Sequence, residues 1–311
     1  MRNIKFTIIT SAYKSSSIFN ITYKSLLLQK YLNFEWIIVD DFSNCSSHQR
    51  LLFKIHDDSP FPVKLIFLSE NSLASRTVQE GIKVASGEYC VILDHDDELL
   101  PDALLEANNL LNECRHEIVG LIGRCLNENN VLIGSKINKK NGQILNEGDL
   151  RFRKDLTSEL VHFVRPDKLL KMYEGFKKGF ANGYVWSRGS FLNYKFLCVD
   201  IPFRKYHTEI LNSASKSNKF NHLYPEFALC QLLILKNYTP FLLYKPLFAL
   251  LFFSNYFKYT RGFRGRGLKD LQQVLGFRFL IVYILIRPIL FLKYIFNNSG
   301  YSMKVFTVLD K

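Results

Sequence analysis

Residues 89–98 read Tyr89-Cys-Val-Ile-Leu-Asp94-His-Asp96-Asp97-Glu98, an apolar run that stops on a cluster of acids. A strand with this ending sets several carboxylates at one edge of a sheet, the edge where open α/β sheets bind their ligands. Carboxylates crowded together repel one another and are best tolerated beside a bound cation. A divalent metal holding a diphosphate supplies that cation. The alternative is a strand running into a helix, with Asp96 or Asp97 as N-cap and Pro101 in the first turn. Capping uses one acid, whereas here four fall within five residues.

Upstream of this stretch, the pattern alternates. Phe6–Ser11 predicts a first strand, followed by a Ser-rich turn and a helix over Ile18–Tyr31. Phe34–Val39 predicts a second strand, closing on Asp40-Asp41-Phe42-Ser43-Asn44. Val63–Leu68 predicts a third strand after a turn bracketed by Pro60 and Pro62, and Asn71–Ala85 a helix stopped by Ser86-Gly87. The order β-α-β-α-β-α-β over the first hundred residues predicts a doubly wound, mostly parallel α/β sheet flanked by helices. Downstream, a helix is expected over Asp102–Glu113 and a strand near Ile118–Gly123. Loops and a hairpin are expected over Asn127–Lys154, then further elements over Leu160–Val164, Lys168–Tyr173 and Tyr184–Tyr194.

Asp40-Asp41 and Asp94-x-Asp96 both close parallel strands, and the right-handed crossover rule brings them to one edge of one sheet. An acid at the second strand end is the usual partner of ribose hydroxyls or a base N–H. No G-x-G-x-x-G follows the first strand and no P-loop occurs, which disfavours dinucleotide and P-loop sites. What remains is a nucleotide held by carboxylates and a metal.

Several segments carry a resemblance. Phe6-Thr-Ile-Ile-Thr-Ser-Ala-Tyr13, Glu35-Trp-Ile-Ile-Val-Asp-Asp-Phe-Ser43 and Glu80–Glu98 together resemble the inverting family 2 glycosyltransferases, strongly over about residues 5–110. The resemblance implies a GT-A fold and a nucleotide-diphosphate sugar donor, with a UDP-sugar favoured. It places Thr10, Ala12 and Tyr13 at the nucleotide, and gives Asp40 and Asp41 to the nucleoside. Asp94 and Asp96 would hold Mn2+ or Mg2+ on the diphosphate, with His95 between them pointing away from the metal. Tyr184-Val-Trp-Ser-Arg-Gly-Ser-Phe-Leu-Asn-Tyr-Lys195 is similar to a segment of a bacterial surface-polysaccharide branch, which implies a glycan or lipid-linked acceptor. The chain departs from that branch in carrying Ala181-Asn182 where Pro-Glu is usual, and Ser72-Leu-Ala-Ser-Arg76 where basic or His residues are usual. Arg76 is the candidate substitute at the phosphate.

Inverting transfer needs a general base, and a carboxylate is the usual one. Glu209, after Tyr206-His207-Thr208, is the favoured candidate, with Glu159 second; Asp200 reads as a turn residue before Ile201-Pro202. Two other classes stay open: a sugar-nucleotide or glycan binder without turnover, and a nucleotidyltransferase.

Composition adds the surroundings. The formal charge is +13, and residues 258–311 hold ten basic side chains against Asp270 and Asp310. Pro240–Phe253 and Phe279–Phe296 are apolar, but Arg287, Pro288 and Lys293 make the second a poor spanning helix. Peripheral contact with an anionic membrane suits a basic, aromatic tail, and no nucleic acid is expected from one Arg-Gly tract between apolar segments. Six singly spaced cysteines predict free thiols in a reducing compartment. The N-terminus reads as a strand rather than a signal peptide. The expected organisation is a glycosyltransferase domain over 1–225, split near 110 into a nucleotide-sugar half and an acceptor half, and a helical region over 226–311. Its expected location is cytoplasmic, on the inner face of the cell membrane.

Overall fold

In the computed structural model, residues 2–16, 18–114, 117–134, 142–153, 159–178, 180–207 and 224–241 are described, with single positions at 252, 255, 256, 273, 276, 284 and 288. The chain divides into two compact units: Met1–Lys178 with Asn193–Ser217, and Gly179–Leu192 with Asn218–Lys311.

The first unit is laid down as alternating strands and helices. They are β1 (Phe6–Ala12), α1 (Phe19–Leu27), β2 (Phe34–Asp40), α2 (Ser46–Asp58), β3 (Val63–Phe67), α3 (Ala74–Lys83) and β4 (Tyr89–Ile92). β1 pairs in parallel with both β2 and β4, and β2 with β3, so the sheet begins β3-β2-β1-β4. β1 and β2 are buried along nearly their whole length, which is why they read as continuous apolar runs rather than alternating ones.

The winding is double. Phe19 and Leu26 of α1, Leu52 and Ile55 of α2, and Leu104 and Leu111 of α4 (Ala103–Glu113) join the core on the face lined by Phe6, Ile8, Trp36 and Ile38. α3 covers the opposite face, where a Cβ on its Gly81 would lie 2.5 Å from Ile9. Only a glycine lets this helix approach β1 so closely.

Beyond β4 the pairing becomes mixed. β5 (Glu98–Leu99), β6 (Gly120–Leu126), β7 (Gln143–Leu145), β8 (Leu160–Val164) and β9 (Phe196–Lys205) extend the order as β4-β8-β6-β9-β5, with β7 on β9. β8 runs antiparallel to β4 and β6, while β6 and β9 are parallel. The expected strongly parallel character therefore belongs to the first four strands. A single π-turn covers Asp149–Arg153, and α5 (Pro166–Tyr173) follows β8. The six cysteines are free, four of them buried.

In the second unit, α6 (Gly183–Phe191) packs on α7 (Tyr224–Asn237), where Asn237 Nδ2 donates to the buried Ser187 Oγ at 2.9 Å. A 3-10 turn over Thr239–Phe241 follows α7. Among the described residues no helix is long and apolar enough to cross a membrane. Most of the basic, apolar tail lies outside the described residues, as does Glu209.

Candidate active site

The carboxyl end of β1 is flanked by acids on both sides. Ala12 stands opposite Asp40 on β2, and the Asp41 amide donates to the Ala12 carbonyl at 2.8 Å. On the other side Ile9 stands opposite Ile92, and the Leu93 amide donates to the Ile9 carbonyl at 3.0 Å. The chain then turns through Asp94–Asp97, closed by an Asp97 N–H to Asp94 C=O bond of 3.1 Å. Asp40-Asp41 and Asp94-Asp96 thus lie at one edge of three adjacent strands.

Helix α1 fixes the acidic turn. The Thr22 hydroxyl lies 3.1 Å from the Asp94 carbonyl and 2.8 Å from that of Asp97. Ser25 Oγ accepts from the Leu99 amide at 3.1 Å, and Gln29 Nε2 donates to the Leu100 carbonyl at 2.9 Å. Thr22 and Ser25 lie three residues apart on the buried face of α1, with Gln29 just beyond its end, and this polar spacing is the sequence signal that could have revealed the anchor.

The two acids of β2's end have different surroundings. Asp40 is buried and accepts hydrogen bonds from the Ser43 amide at 2.9 Å and from the Ser43 hydroxyl, with His48 Nε2 of α2 3.3 Å away. Burial pushes its pKa up, but His48 and Ser43 outweigh burial and hold the carboxyl below its ordinary value. Asp41 accepts the Ser72 amide at 2.7 Å. There burial prevails over the Ser72 bond and Lys178, and its pKa rises to about 6.

Loop strain concentrates at the same edge. Among the described residues, four of the six non-glycine residues with positive φ are Lys14, Phe42, Asn44 and Leu73, in the loops after β1, β2 and β3. The Lys14 amide donates to Ser43 Oγ at 2.9 Å, lacing the first two of these loops together. Tyr13 and Phe42, beside that bond, are 45% and 44% exposed.

The remaining sequence candidates divide. Thr10 is buried and its hydroxyl oxygen accepts the Trp36 indole N–H at 2.9 Å, tying β1 to β2. Ala12 is buried, and Tyr13 is open to solvent. His95 Nδ1 lies 3.2 Å from the Ser11 carbonyl, directed back over β1. Arg76, in the first turn of α3, is engaged with Glu70 at 3.3 Å and Glu80 at 3.4 Å. Glu159 lies just before β8 rather than on a helix, and Asp200 lies on β9 rather than in a turn, paired with the buried Arg124 at 2.9 Å.

The capping role considered for Asp96, Asp97 and Glu98 is corrected. α4 begins only at Ala103, its N-cap is Asp102, and no side chain caps it. Asp97 instead accepts the His207 amide at 3.1 Å and lies 3.5 Å from Arg204 Nη1, while Glu98 meets His207 Nε2 at 2.7 Å. The second guanidinium nitrogen of Arg204 lies 3.6 Å from Glu159. Arg204 and His207 carry no local signal, since they reach the acids across more than a hundred residues of sequence.

The turn suits a divalent cation. Burial raises the pKa of Asp96, and Asp94 adds to the rise; Asp97 is pushed to about 8, again chiefly by burial. Asp97 Oδ2 is buried and accepts no hydrogen bond. A bound cation would draw such crowded, buried carboxyl groups back to their ionised form. Among the described residues no three His, Cys, Asp or Glu side chains converge as a ready metal cage.

Similarity to known proteins runs through the same strands. The Erwinia amylovora amylovoran biosynthesis glycosyltransferase AmsB is 34% identical over 113 residues, 36% of this chain and 37% of AmsB. The Bacillus subtilis protein TuaG, described as a teichuronic acid biosynthesis glycosyltransferase, is 30% identical over 98 residues, 32% of this chain and 38% of TuaG. The matches thus span little more than a third of either relative's own length. Among solved structures, S. aureus TarS 1-349 in complex with UDP-GlcNAc aligns with a TM-score of 0.58 at 15% identity, covering 87% of this chain and 82% of that one. The mannosyltransferase PcManGT from Pyrobaculum calidifontis, in complex with GDP-Man and Mn2+, aligns with a TM-score of 0.52 at 14% identity, covering 97% and 89%. At these identities the likeness establishes the fold, which is GT-A. The glycosyl transferase family 2 profile matches residues 7–164, just over half of the chain and every strand from β1 to β8. The chain belongs to glycosyl transferase family 2.

Proposed function

We propose that this chain is a metal-dependent inverting glycosyltransferase. It moves a sugar from a nucleotide-diphosphate donor, a UDP-sugar by preference, to a bacterial surface glycan or its lipid-linked precursor. The observation that carries this reading is the convergence of Asp40-Asp41 and Asp94-Asp96 on the carboxyl ends of three adjacent parallel strands. The donors named for TarS and PcManGT, and the polysaccharide pathways named for AmsB and TuaG, support the substrate class.

In this reading Asp41 and the loops carrying Tyr13 and Phe42 hold the nucleoside, and Asp94 and Asp96 hold Mn2+ or Mg2+. The metal, when bound, offsets charge on the diphosphate leaving group. Among the described residues, Glu159 is the candidate to take the proton of the acceptor hydroxyl. As that oxygen bonds to the anomeric carbon, the bond from carbon to phosphate oxygen breaks, its electron pair leaves on the nucleoside diphosphate, and the proton passes to the carboxylate. Attack opposite the leaving group inverts the anomeric centre.

A second reading, a sugar-nucleotide binder without turnover, is favoured by Asn182 standing where relatives of the branch carry an acid. Incubation with a panel of nucleotide-sugars and Mn2+, reading free nucleoside diphosphate alongside ligand-induced thermal shift, separates the two. Release supports transfer or hydrolysis, while a thermal shift without release supports the binder. Neither response with any donor rejects both.

A further inference from the structure

We infer that Arg204 is a positioning residue for the transfer reaction, setting the spacing between the Asp94–Asp97 turn and Glu159 through a single guanidinium. The inference rests on the glycosyltransferase reading above. Arg204 is 6% exposed near the end of β9, where it stands opposite Leu99 of β5 and Cys125 of β6. One terminal nitrogen lies 3.5 Å from buried Asp97, the other 3.6 Å from Glu159. The Tyr206 ring, 5.4 Å from the guanidinium carbon, packs against the same group.

The first acid facing Arg204, Asp97, is buried with it. The second acid is different in kind: the Glu159 side chain is 54% exposed, and an exposed ion pair adds little to stability. What the second contact does is fix where Glu159 stands. Arg124 offers the contrast within the same sheet. It is fully buried, pairs with Asp200 and donates to the Ile133 carbonyl. The register points the same way. β4 and β8 are antiparallel, with Cys90 opposite Val164 and Val91 opposite Phe163, so the end of β4 and the start of β8 lie toward the same side of the sheet. Arg204 reaches both acids from a third strand. A planar fork engages two carboxylates at a fixed separation; an ammonium, a single point charge, does not.

The test uses the full chain carrying Arg204→Lys, Glu159→Gln or both, with Arg204→Gln as a charge-deleting companion. Nucleoside diphosphate release with Mn2+ gives kcat and donor KM, calorimetry gives affinity for UDP with Mn2+, and thermal melts report folding. Positioning predicts that Arg204→Lys lowers kcat by about tenfold or more while donor KM changes less than about threefold. It further predicts that Arg204→Lys adds no loss on top of Glu159→Gln, because Arg204 acts only through Glu159. A merely structural role predicts a lower melting temperature with kcat retained, or losses that multiply; either result overturns the inference. Should Arg204→Gln not fold, Arg204→Lys, which keeps the buried charge, still decides the question. A wild-type chain that neither binds UDP with Mn2+ nor releases nucleotide from any donor sinks the underlying glycosyltransferase reading instead. An active wild type with an unimpaired Arg204→Lys sinks the role of Arg204 alone.

Discussion

Nε2 of His48 lies 3.3 Å from Oδ1 of Asp40, and both side chains are buried between α2 and the end of β2. Because the folded pKa of Asp40 is depressed below 3.8, its carboxylate contributes stability above roughly pH 4, and that contribution is lost as pH falls through the folded value. His48→Leu leaves Asp40 with Ser43 alone against the pull of burial. The expected cost is about 3 kcal/mol at neutral pH, shrinking as pH falls from about 4 toward the lower folded value, beneath which the carboxylate is protonated in both states. Thermal melts of wild type and variant across pH check this, and a pH-independent gap would contradict it.

Asp41 behaves in the opposite sense. Its folded pKa of about 6 exceeds the ordinary 3.8, so the folded state holds this proton more tightly than the unfolded one. Stability from this group is present below about pH 4 and is lost as pH rises through 6. Asp41→Asn keeps an oxygen for the Ser72 amide and removes the titration. Relative to wild type it should gain about 1–2 kcal/mol above pH 6, a discounted value of the full shift, and nucleotide affinity should weaken. Melts at low and neutral pH with a UDP titration measure both, and a gain of equal size at both ends of the range rules the assignment out.

Asp96→Asn separates metal binding from folding. It should lower nucleoside diphosphate release by at least about a hundredfold and abolish the stabilisation conferred by Mn2+. Without metal the variant should melt no lower than wild type, since a crowded, buried carboxylate has been made neutral. Retained Mn2+-dependent stabilisation would place the cation elsewhere.

Phe42 occupies left-handed backbone with φ 59° while its ring stays 44% exposed. Phe42→Gly relieves roughly 1 kcal/mol of steric cost and pays a similar entropy for the freer chain, so stability should hardly move. Affinity for UDP should fall by several-fold if the ring lies against the nucleoside. Calorimetry with UDP, compared with UMP and inorganic pyrophosphate, decides it; equal weakening toward all three would point to a loop effect.

The first four strands were legible because each is a short apolar run bounded by turn residues, and their limits agree with expectation to within a residue. β9 was not legible: Asp200, Pro202, Arg204 and Lys205 interrupt its apolar pattern, and it persists because neighbours pair on both sides. β5 is two residues long and exists only through β9. Within the site, the acids could be found and their separate environments could not. Asp40 and Asp41 are adjacent and chemically alike, yet His48 and Ser43 lower one while burial raises the other. Ser43 and His48 are close to Asp40 in sequence, but burial and the Ser72 bond at Asp41, like Arg204 at Asp97, come from the tertiary fold, and no local pattern encodes them.

The anchors of the acidic turn on α1 all precede residue 30, whereas Arg204 and His207 arrive after residue 200. The acidic turn is therefore braced twice, once by the segment that follows β1 and once by a late strand. A chimera joining residues before about 110 to the remainder of another family member would inherit the first brace intact and lose the second. On the proposed function, such a protein should still grip its donor and fail at turnover, which would make the junction a mechanical seam.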